Sequence, residues 1–401
     1  MKVLIVGGGA AGFFAAFSVK THHPDAEVII LEKSTKFLSK VKISGGGRCN
    51  VTNATFNNRI LSEKYPRGEK FLREAFEQFN AKDTFEWFES RSVLLKIYPD
   101  NCVFPLANDS QAIIDCFMRE AKKLNIQLEV QQGVESIEKI NSTFQISTKT
   151  DIFKADKIII TTGGHPKKSG FNWLEELGIP IIDPVPSLFS FNIDDEPLHQ
   201  LMGNVIENAS AKIAGQKLKG SGPILITHWG LSGPAILQLS AWGARILEEK
   251  YYRFSLLVNW LGEKTEAEVQ SELKTAIQKE GNKQIQNYCP FGFTNRFWVY
   301  LLEKLQIPTT LKWKELQGKF FNKLSNGLIN DLFEVNGKTT FKEEFVTAGG
   351  IDLKDIDVKT MQSKTLPGIY VAGEVMDIDG ITGGFNFQAA WTTGFIAGKL
   401  G

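Results

Sequence analysis

"MKVLIVGGGAAGFFAAFSVK", residues 1–20, is the stretch that decides the fold of this 401-residue chain. The apolar run from Val3 to Val6 predicts a buried β-strand. Three glycines follow, and residues 10–20 have the composition of a helix. "AEVIILE", residues 26–32, predicts a second buried strand. The N-terminal residues therefore predict a βαβ unit.

The glycines between the first strand and the helix have dinucleotide-binding spacing. Gly7, Gly9 and Gly12 form a Gly-x-Gly-x-x-Gly pattern. The first glycine allows a tight turn, the second lets the backbone approach a pyrophosphate, and the third lets helix and strand pack closely. Glu32 ends the second strand, where an acid bonds the ribose hydroxyls. NAD and FAD share this pattern, so it does not choose between them.

Two later segments favour FAD. "IIITTGG" ends a strand with Thr161, Thr162 and Gly163, and it is similar to the Ala-Thr-Gly loop of FAD enzymes. "GIYVAGEVMD" is similar to their second FAD strand, in which the trailing acid meets the ribityl chain; here that acid is Glu374 or Asp377. "GITGGFNFQAAWTTGFIAG" then opens a helix after two glycines. The N-terminus of this helix would stabilise negative charge on a reduced flavin.

The glycine triplet in "ISGGGRCNVTN", residues 43–53, predicts a backbone that comes very close to a ligand. Gly46 and its neighbours would lie flat against the pyrophosphate or the isoalloxazine, and Arg48 would neutralise phosphate charge. Asn50 and Asn53 either bond flavin edge atoms or fold the loop back on itself. Lys40 either assists with the phosphates or is an ordinary solvated lysine.

Two residues are candidates for proton transfer. Cys49 is either a small buried thiol or a proton donor beside the flavin. With no Cys-x4-Cys pair, flavin-linked disulfide exchange is not expected. His228, in "THWGLSGPAIL", either meets substrate as an acid or base or has a structural role. The sequence contains no Ser-His-Asp set, Walker loop or metal-ligand cluster.

Composition limits the function classes. Hydrophobic residues make up 42% and charged residues 23%, which is typical of a soluble globular protein. The net charge of +1 gives no global basic field for nucleic acid, and no stable DNA partner is expected. No apolar run is long enough to span a bilayer, and the four cysteines lack zinc-ligand spacing. These features predict a cytoplasmic protein without a membrane partner.

The order of segments predicts an α/β domain interrupted by an insertion. The FAD-binding domain would take residues 1–189 and 339–401, and the inserted substrate domain would take residues 190–338. Within the insertion, residues 190–260 predict a β part, and residues 261–338 predict a helical part. Amphipathic helices are also predicted over Phe71–Glu89 and Gln111–Leu124.

Taken together, the motifs resemble a known family. "VGGGAAG", "KISGGGRCNVTN", "TTGG", "THWGLSGPAIL", "TAGGI" and "GEVMDIDGITGGFNFQAAWTTGFIAG" occur in the order found in bacterial flavoproteins of the BaiN/RdsA-like, or aminoacetone-oxidase-like, family. The resemblance implies a Rossmann-like FAD-binding domain split by an insert with a β-barrel-like part and a helical part. It also implies bound FAD and oxidoreductase activity.

By matching position, the resemblance implies cofactor contacts at Gly9, Gly12, Glu32, Lys33, Gly46, Arg48, Asn53, Thr162, Gly163, Gly373, Asp377, Gly384, Phe385 and Asn386. The candidate set is completed by Gly7, Ala10, Ala11, Lys40, Ser44, Gly45, Cys49, Asn50, Val134, Thr161, Glu374 and Gln388. One segment departs from the family pattern, since "GGHPKKSGFNWLEELG" lacks the acid that members usually carry there.

Three functions remain open at this point. The first is a reductase in which NAD(P)H transiently reduces the FAD and hydride passes to an activated double bond, with uridine in ribosomal RNA as one acceptor by resemblance. The clusters "KYPRGEKFLR" and "KLKG" leave room for local phosphate contacts. The second is an oxidase of small amines or amino-ketones. The third is a flavin-containing RNA-binding module without turnover. The sequence does not predict the oligomeric state.

Overall fold

The computed structural model describes residues 1–339 and 346–401. The chain divides into two compact units, Met1–Ser187 with Phe341–Gly401, and Leu188–Thr340. The strands of the first unit are β1 (Lys2–Val6), β2 (Glu27–Leu31), β3 (Thr52–Asn53), β4 (Leu95–Ile97), β5 (Cys102–Pro105), β6 (Gln127–Glu129), β7 (Val134–Ile140), β8 (Thr143–Thr148), β9 (Ile152–Ala155), β10 (Lys157–Ile160) and β11 (Ile181–Ser187). Its helices are α1 (Ala10–His22), α2 (Ser39–Gly47), α3 (Asn58–Ser62), α4 (Glu69–Ala75), α5 (Ala81–Glu89), α6 (Gln111–Lys123) and α7 (Asn172–Glu176).

The second unit contains a closed barrel and most of the remaining helices. Its strands are β12 (Ser190–Ile193), β13 (Val205–Ile213), β14 (Lys219–Thr227), β15 (Gly230–Ser232), β16 (Arg253–Asn259) and β17 (Asp331–Thr339). Its helices are α8 (Glu196–His199), α9 (Pro234–Trp242), α10 (Ala244–Glu249), α11 (Glu266–Glu280), α12 (Asn295–Lys304) and α13 (Gly318–Ile329). The chain then returns to the first unit with β18 (Val346–Ile351), β19 (Ile369–Val371) and α14 (Phe385–Ala397).

A five-stranded parallel sheet organises the first unit, in the order β19-β10-β1-β2-β6. Its central strands are buried apolar runs, as expected for a parallel sheet covered on both faces. β11 and β18 form an antiparallel pair, and β7-β8-β9 and β3-β5-β4 form two small sheets. The predicted fold class, a Rossmann-like domain interrupted by a β-barrel with helices, is confirmed.

Helices α1 and α14 of the first unit pack against each other through glycine. A Cβ built on Gly394 would lie 2.7 Å from the Ala11 carbonyl oxygen, and one on Gly398 would overlap the Ala15 carbonyl oxygen. Both helices carry long buried stretches, so neither shows the one-sided pattern of a surface helix. This close approach brings the last helix of the chain against the first.

The barrel of the second unit closes in the order β12-β15-β14-β13-β16-β17. β17 pairs with both β12 and β16, which completes the ring. A Cβ on Gly220 would overlap the Ala235 carbonyl oxygen, so this glycine lets α9 lie directly on β14. Two tryptophans of the helical part, Trp298 and Trp313, stack with ring centroids 6.3 Å apart.

The helical part of the insertion is shorter than the sequence predicts. Its last helix ends at Ile329, and Asp331–Thr339 is the sixth barrel strand. Alternate residues of this strand are buried, beginning with Asp331, Phe333 and Val335. A period of two is typical of a β-strand. The sequence analysis missed this strand because it follows the helical segment without a break in the apolar pattern.

The helix predicted over Phe71–Glu89 is also wrong, because this segment forms two helices, α4 and α5. Asn80 starts the second one by accepting hydrogen bonds from the Lys82 and Asp83 amides. The Asp83 carboxylate in turn accepts from the Asn80 amide, which completes a capping box. The helix predicted over Gln111–Leu124 is confirmed as α6. Across the described residues, no helix is both long and apolar enough to cross a membrane.

The Gly394→Ala substitution tests the packing of α14 against α1. We expect the free energy of unfolding to fall by about 1–3 kcal/mol, because the new methyl group forces the two backbones apart. Thermal unfolding of the apoprotein measures the effect. The matched control is Gly133→Ala, whose Cβ would lie 3.4 Å from the Lys33 Cβ, an ordinary contact. Equal melting temperatures for the two variants would contradict the proposed packing constraint.

Candidate functional site

The predicted cofactor residues cluster at one edge of the parallel sheet. Val6 pairs with both Leu31 and Ile160, and Ile160 pairs with Val371, so four strands end side by side. The residues that leave the sheet at this edge are Gly7, Glu32, Thr161 and Ala372. Ligands of open α/β sheets bind outside the carboxyl ends of the strands, and this is such an edge.

The glycines of the first loop, residues 7–12, have different structural roles. A Cβ on Gly7 would lie 2.5 Å from the Thr161 carbonyl oxygen, and one on Gly12 would overlap the Gly7 carbonyl oxygen. A Cβ on Gly9 would meet no atom within 4 Å, and Gly9 caps α1 without any side-chain hydrogen bond. Gly7 and Gly12 therefore serve packing, while Gly9 leaves open space and N–H groups that no side chain caps at the start of the helix.

Glu32 stabilises the same loop. Its carboxylate accepts hydrogen bonds from the Gly8 amide at 2.9 Å and the Ser34 amide at 2.8 Å. Lys33 is exposed, and its Cβ lies 3.4 Å from the position of a Cβ on Gly133, the residue before Val134. The structure thus brings Glu32, Lys33 and the Val134 segment together beside the first loop.

The threonine loop after β10 continues this edge. The Thr161 hydroxyl donates to the Gly7 carbonyl at 2.9 Å, so this side chain ties two loops together. Thr162 is exposed. Gly163 has φ +73°, and a Cβ there would meet nothing within 4 Å. Gly373 completes the group, because a Cβ on it would lie 2.8 Å from the Ala11 Cβ, one residue from Ala10.

The glycine triplet ends α2 in a left-handed turn. Gly45 and Gly46 have φ +56° and +67°, and a Cβ on Gly46 would meet no atom within 4 Å. Arg48 donates from Nε to the Gly45 carbonyl at 3.2 Å, and its guanidinium lies 4.3 Å from the centre of the Phe104 ring. The Asn50 side chain accepts a hydrogen bond from the Val103 amide at 3.1 Å. Of its two predicted roles, this contact fits the one in which Asn50 folds the loop rather than bonds the flavin.

Cys49 lies inside this turn. It is fully buried, and its amide donates to the Ser44 carbonyl at 3.0 Å. Burial raises the pKa of the Cys49 thiol to about 12, and the Ser44 side chain opposes this effect. Cys102, on the neighbouring strand β5, is only partly buried. The thiol of Cys49 is thus enclosed by protein, in agreement with the first of its two predicted roles, a small buried thiol. Its role as a proton donor stays a prediction.

The acid after β19 is already engaged by protein groups. The Glu374 carboxylate accepts from the Thr347 amide at 3.0 Å and forms an ion pair with Lys40 at 3.0 Å. Asp377, three residues later, is the other acid considered for a ribityl chain, and the choice between the two stays a prediction. Lys40 therefore links α2 to the C-terminal segment, a contact that the sequence analysis missed.

The start of α14 is held by several side chains. Gly384 caps the helix at φ +89° without a side-chain hydrogen bond, and Phe385 is the first helical residue. Asn386 bonds both the amide and the carbonyl of Gly380, at 2.8 and 3.0 Å. Asn53 donates to the Gly383 carbonyl at 3.0 Å, which joins this segment to the glycine-triplet loop.

Gln388, also predicted to contact the cofactor, lies one turn further along α14 and is fully buried. Its side-chain oxygen accepts from the Thr52 and Thr84 hydroxyls, at 2.5 and 2.9 Å. His228 belongs to the second unit, where it is exposed between β14 and β15 and packs edge-on against Trp229. Its role as an acid or base stays a prediction.

One basic residue in each of the clusters considered for phosphate contacts forms an ion pair. Arg67 of "KYPRGEKFLR" is paired with the buried Asp379, and Lys219 of "KLKG" is paired with Glu263. Sequence analysis missed the Arg67 pair because the two residues are 312 positions apart. It also missed Thr347, whose hydroxyl is buried without a hydrogen-bond partner among the described residues.

The burial of Cys49 predicts low thiol reactivity in the native protein. Because the thiol pKa is raised to about 12, the group stays protonated well above neutral pH. After brief iodoacetamide treatment at pH 8, we expect Cys49 to carry less than about a tenth of the label that it takes up in urea. Peptide mass spectrometry measures this label, with the partly buried Cys102 as the internal comparison. Equal labelling of Cys49 in native and unfolded protein would show that its thiol is accessible.

Known proteins give an independent view of this chain. It matches the model of the HI0933-like protein Rossmann domain over residues 1–400. It is 26% identical to the 3-dehydro-bile acid delta(4,6)-reductase of Clostridium scindens, over 99% of this chain and 98% of that protein. It is also 26% identical to the ribosomal RNA dihydrouridine synthase of Escherichia coli, over 97% of this chain and 95% of that protein.

Among solved structures, the chain is similar in fold to the 3-ketosteroid-delta4-(5alpha)-dehydrogenase of Rhodococcus jostii RHA1. The TM-score is 0.52 with 10% sequence identity, covering 99% of this chain and 96% of that one. This likeness supports the architecture of a Rossmann-type unit with an insertion. Since the family model matches nearly every residue, the resemblance found in the sequence is confirmed, and the protein belongs to the HI0933-like Rossmann family.

Proposed function

We propose that this protein is an FAD-dependent reductase of an activated carbon–carbon double bond. The observation that carries the proposal is the edge where four parallel strands end. There Gly9 and Gly163 leave open space where a side chain would project, and Gly46 does the same at the end of α2. A cofactor with a pyrophosphate and a flat ring system needs such a backbone surface.

The chemistry of the surrounding groups also fits FAD. Gly9 is the N-cap of α1 and Gly384 is the N-cap of α14, so no side chain caps either helix. Free N–H groups at a helix N-terminus bind phosphate or stabilise negative charge on a reduced flavin. Glu32 would supply a carboxylate for ribose hydroxyls, and Glu374 or Asp377 would supply one for the ribityl hydroxyls. When bound and reduced, FAD supplies hydride to an electron-poor carbon.

The two relatives support reduction of a double bond. One is named for reduction of a steroid-like bile acid and the other for making dihydrouridine, which is uridine with a reduced ring double bond. Both names point to a double bond conjugated to a carbonyl, at positions 4 and 6 of a 3-keto bile acid and in the uracil ring of uridine. The shared chemistry therefore supports an activated double bond, in a small molecule or in RNA uracil, as the substrate of this chain.

The protein would add the proton at the carbon next to the carbonyl. Cys49, which is enclosed, and His228, which is exposed, are the two candidates for this proton donor. NAD(P)H is the proposed electron donor. The chain has only one Gly-x-Gly-x-x-Gly fingerprint, which FAD would occupy, so the nicotinamide would bind transiently.

Anaerobic flavin absorbance tests the reaction class. We expect NADPH or NADH to bleach the oxidised flavin band, and an added enone or uracil-containing RNA to restore it. The matched measurement replaces the nicotinamide with a small amine such as aminoacetone. Bleaching by the amine alone would overturn the reductase and favour an amine oxidase. A flavin that stays oxidised with every donor, in a protein that binds RNA, would favour the binding module.

Gly9→Ser separates cofactor binding from folding. Serine is a favourable N-cap, so we expect the melting temperature of the apoprotein to stay equal or to rise. The new side chain would project into the open space and cap the N–H groups that a phosphate needs, so FAD affinity should fall at least about tenfold, or about 1.4 kcal/mol. Gly46 is a less clean site, because its φ of +67° strains any side chain.

The measurement is titration of the apoprotein with FAD, followed by quenching of flavin fluorescence. Ala214→Ser is the control, because this exposed alanine lies in a turn of the second unit. Wild-type FAD affinity in Gly9→Ser would remove the observation on which the proposed function rests.

A further inference from the structure

A short segment before α4 fixes the start of α14. "KYPRG", residues 64–68, reaches the loop between β19 and α14 at several points. The Ile381 amide donates to the Lys64 carbonyl at 3.0 Å. Arg67 and Asp379 form an isolated antiparallel backbone bridge. All of these residues belong to the first unit.

Arg67 makes a two-pronged ion pair with Asp379. Its Nε bonds one carboxylate oxygen and its Nη2 bonds the other. The Ser187 hydroxyl donates to the same carboxylate at 2.6 Å. The arginine side chain is 14% exposed and the aspartate side chain is fully buried. Such a planar, bidentate pair sets the position of the backbone on both sides, which a lysine would do less well.

Tyr65 makes the second contact. It is fully buried, and its hydroxyl donates to the Phe385 carbonyl at 2.7 Å. Its ring also packs against Gly380, where a Cβ would lie 3.1 Å from the ring. Gly68 allows an equally close approach on the other side, because a Cβ there would lie 2.7 Å from the Ile378 side chain.

These contacts converge on the uncapped end of α14. Phe385 is the first residue of that helix, and Asn386 ties its first turn to Gly380. Tyr65 bonds the helix itself, while Arg67 bonds the loop that leads into it. A change at either residue would therefore move the helix end without removing any group from the site.

We propose that residues 64–68 form a strut that positions the N-terminus of α14 against the flavin, with Tyr65 and Arg67 as positioning residues. This inference rests on the proposed binding of FAD. The positive end of the helix stabilises the negative charge that a flavin gains on reduction. A strut that holds this end in place thus raises the flavin reduction potential as well as the affinity for FAD.

The test uses Arg67→Lys and Tyr65→Phe in the full chain. Arg67→Lys keeps the positive charge but removes the bidentate hydrogen bonding to Asp379. Tyr65→Phe removes only the hydroxyl group. The matched controls are Arg73→Lys, on an exposed arginine of α4, and Tyr251→Phe, on a tyrosine that is 84% exposed. For each protein, FAD affinity, the two-electron reduction potential and the apoprotein melting temperature are measured.

Compared with the wild type, we expect Arg67→Lys to bind oxidised FAD at least about tenfold more weakly. We expect Tyr65→Phe to bind it at least about threefold more weakly. We also expect both potentials to become more negative than in the wild type. A purely structural role would lower only the melting temperature. If Arg67→Lys does not fold, Ser187→Ala, which removes one bond to Asp379, takes its place.

Wild-type affinity and potential in the strut variants would overturn the proposal, whatever happens to the melting temperature. The proposal would also be overturned if FAD affinity and reduction potential changed as much in the two control variants as in the strut variants. A wild-type protein that does not bind FAD would overturn the proposed function itself, and this inference with it. The first result leaves FAD binding intact, so the two failures are distinguishable.

Discussion

The contact between Gly12 and Gly7 is the constraint on which the first unit depends. The third glycine of the fingerprint has no room for a Cβ, because the Gly7 carbonyl occupies that position. This contact sets helix α1 close to strand β1, and the Thr161 hydroxyl locks the next strand end to the same carbonyl. α14 packs on α1 through Gly394. The position of this C-terminal helix therefore also depends on the contact between Gly12 and Gly7.

Electrostatics and burial then complete the site from distant parts of the chain. The Lys40–Glu374 pair is half exposed at the lysine, so its contribution to stability is small. The Arg67–Asp379 pair is buried, and burial raises the pKa of Asp379 while the arginine opposes this effect. Removal of either partner would leave a buried charge, which is far more costly than the pair itself.

The sequence predicted the fold class and the location of the site because both depend on short-range patterns. Gly9 and Glu32 lie beside the strands that define them, so spacing alone places them at the sheet edge. The strand Asp331–Thr339 was missed because it closely follows a helix, and its period of two covers only the first six of its nine residues. The break at Asn80 was missed because a capping box inside an amphipathic run interrupts no apolar pattern.

The roles of individual side chains were harder to predict than their positions. Glu374 and Asp377 both follow β19, and only the structure shows that Glu374 is bonded to Thr347 and Lys40. Likewise, Asn50 and Gln388 lie in cofactor motifs, yet both bond protein groups that hold the loops in shape. A motif records which residues a site requires, and some of them are required because they keep the backbone glycines facing the ligand. This explains why the family blocks are longer than the set of atoms that would touch FAD.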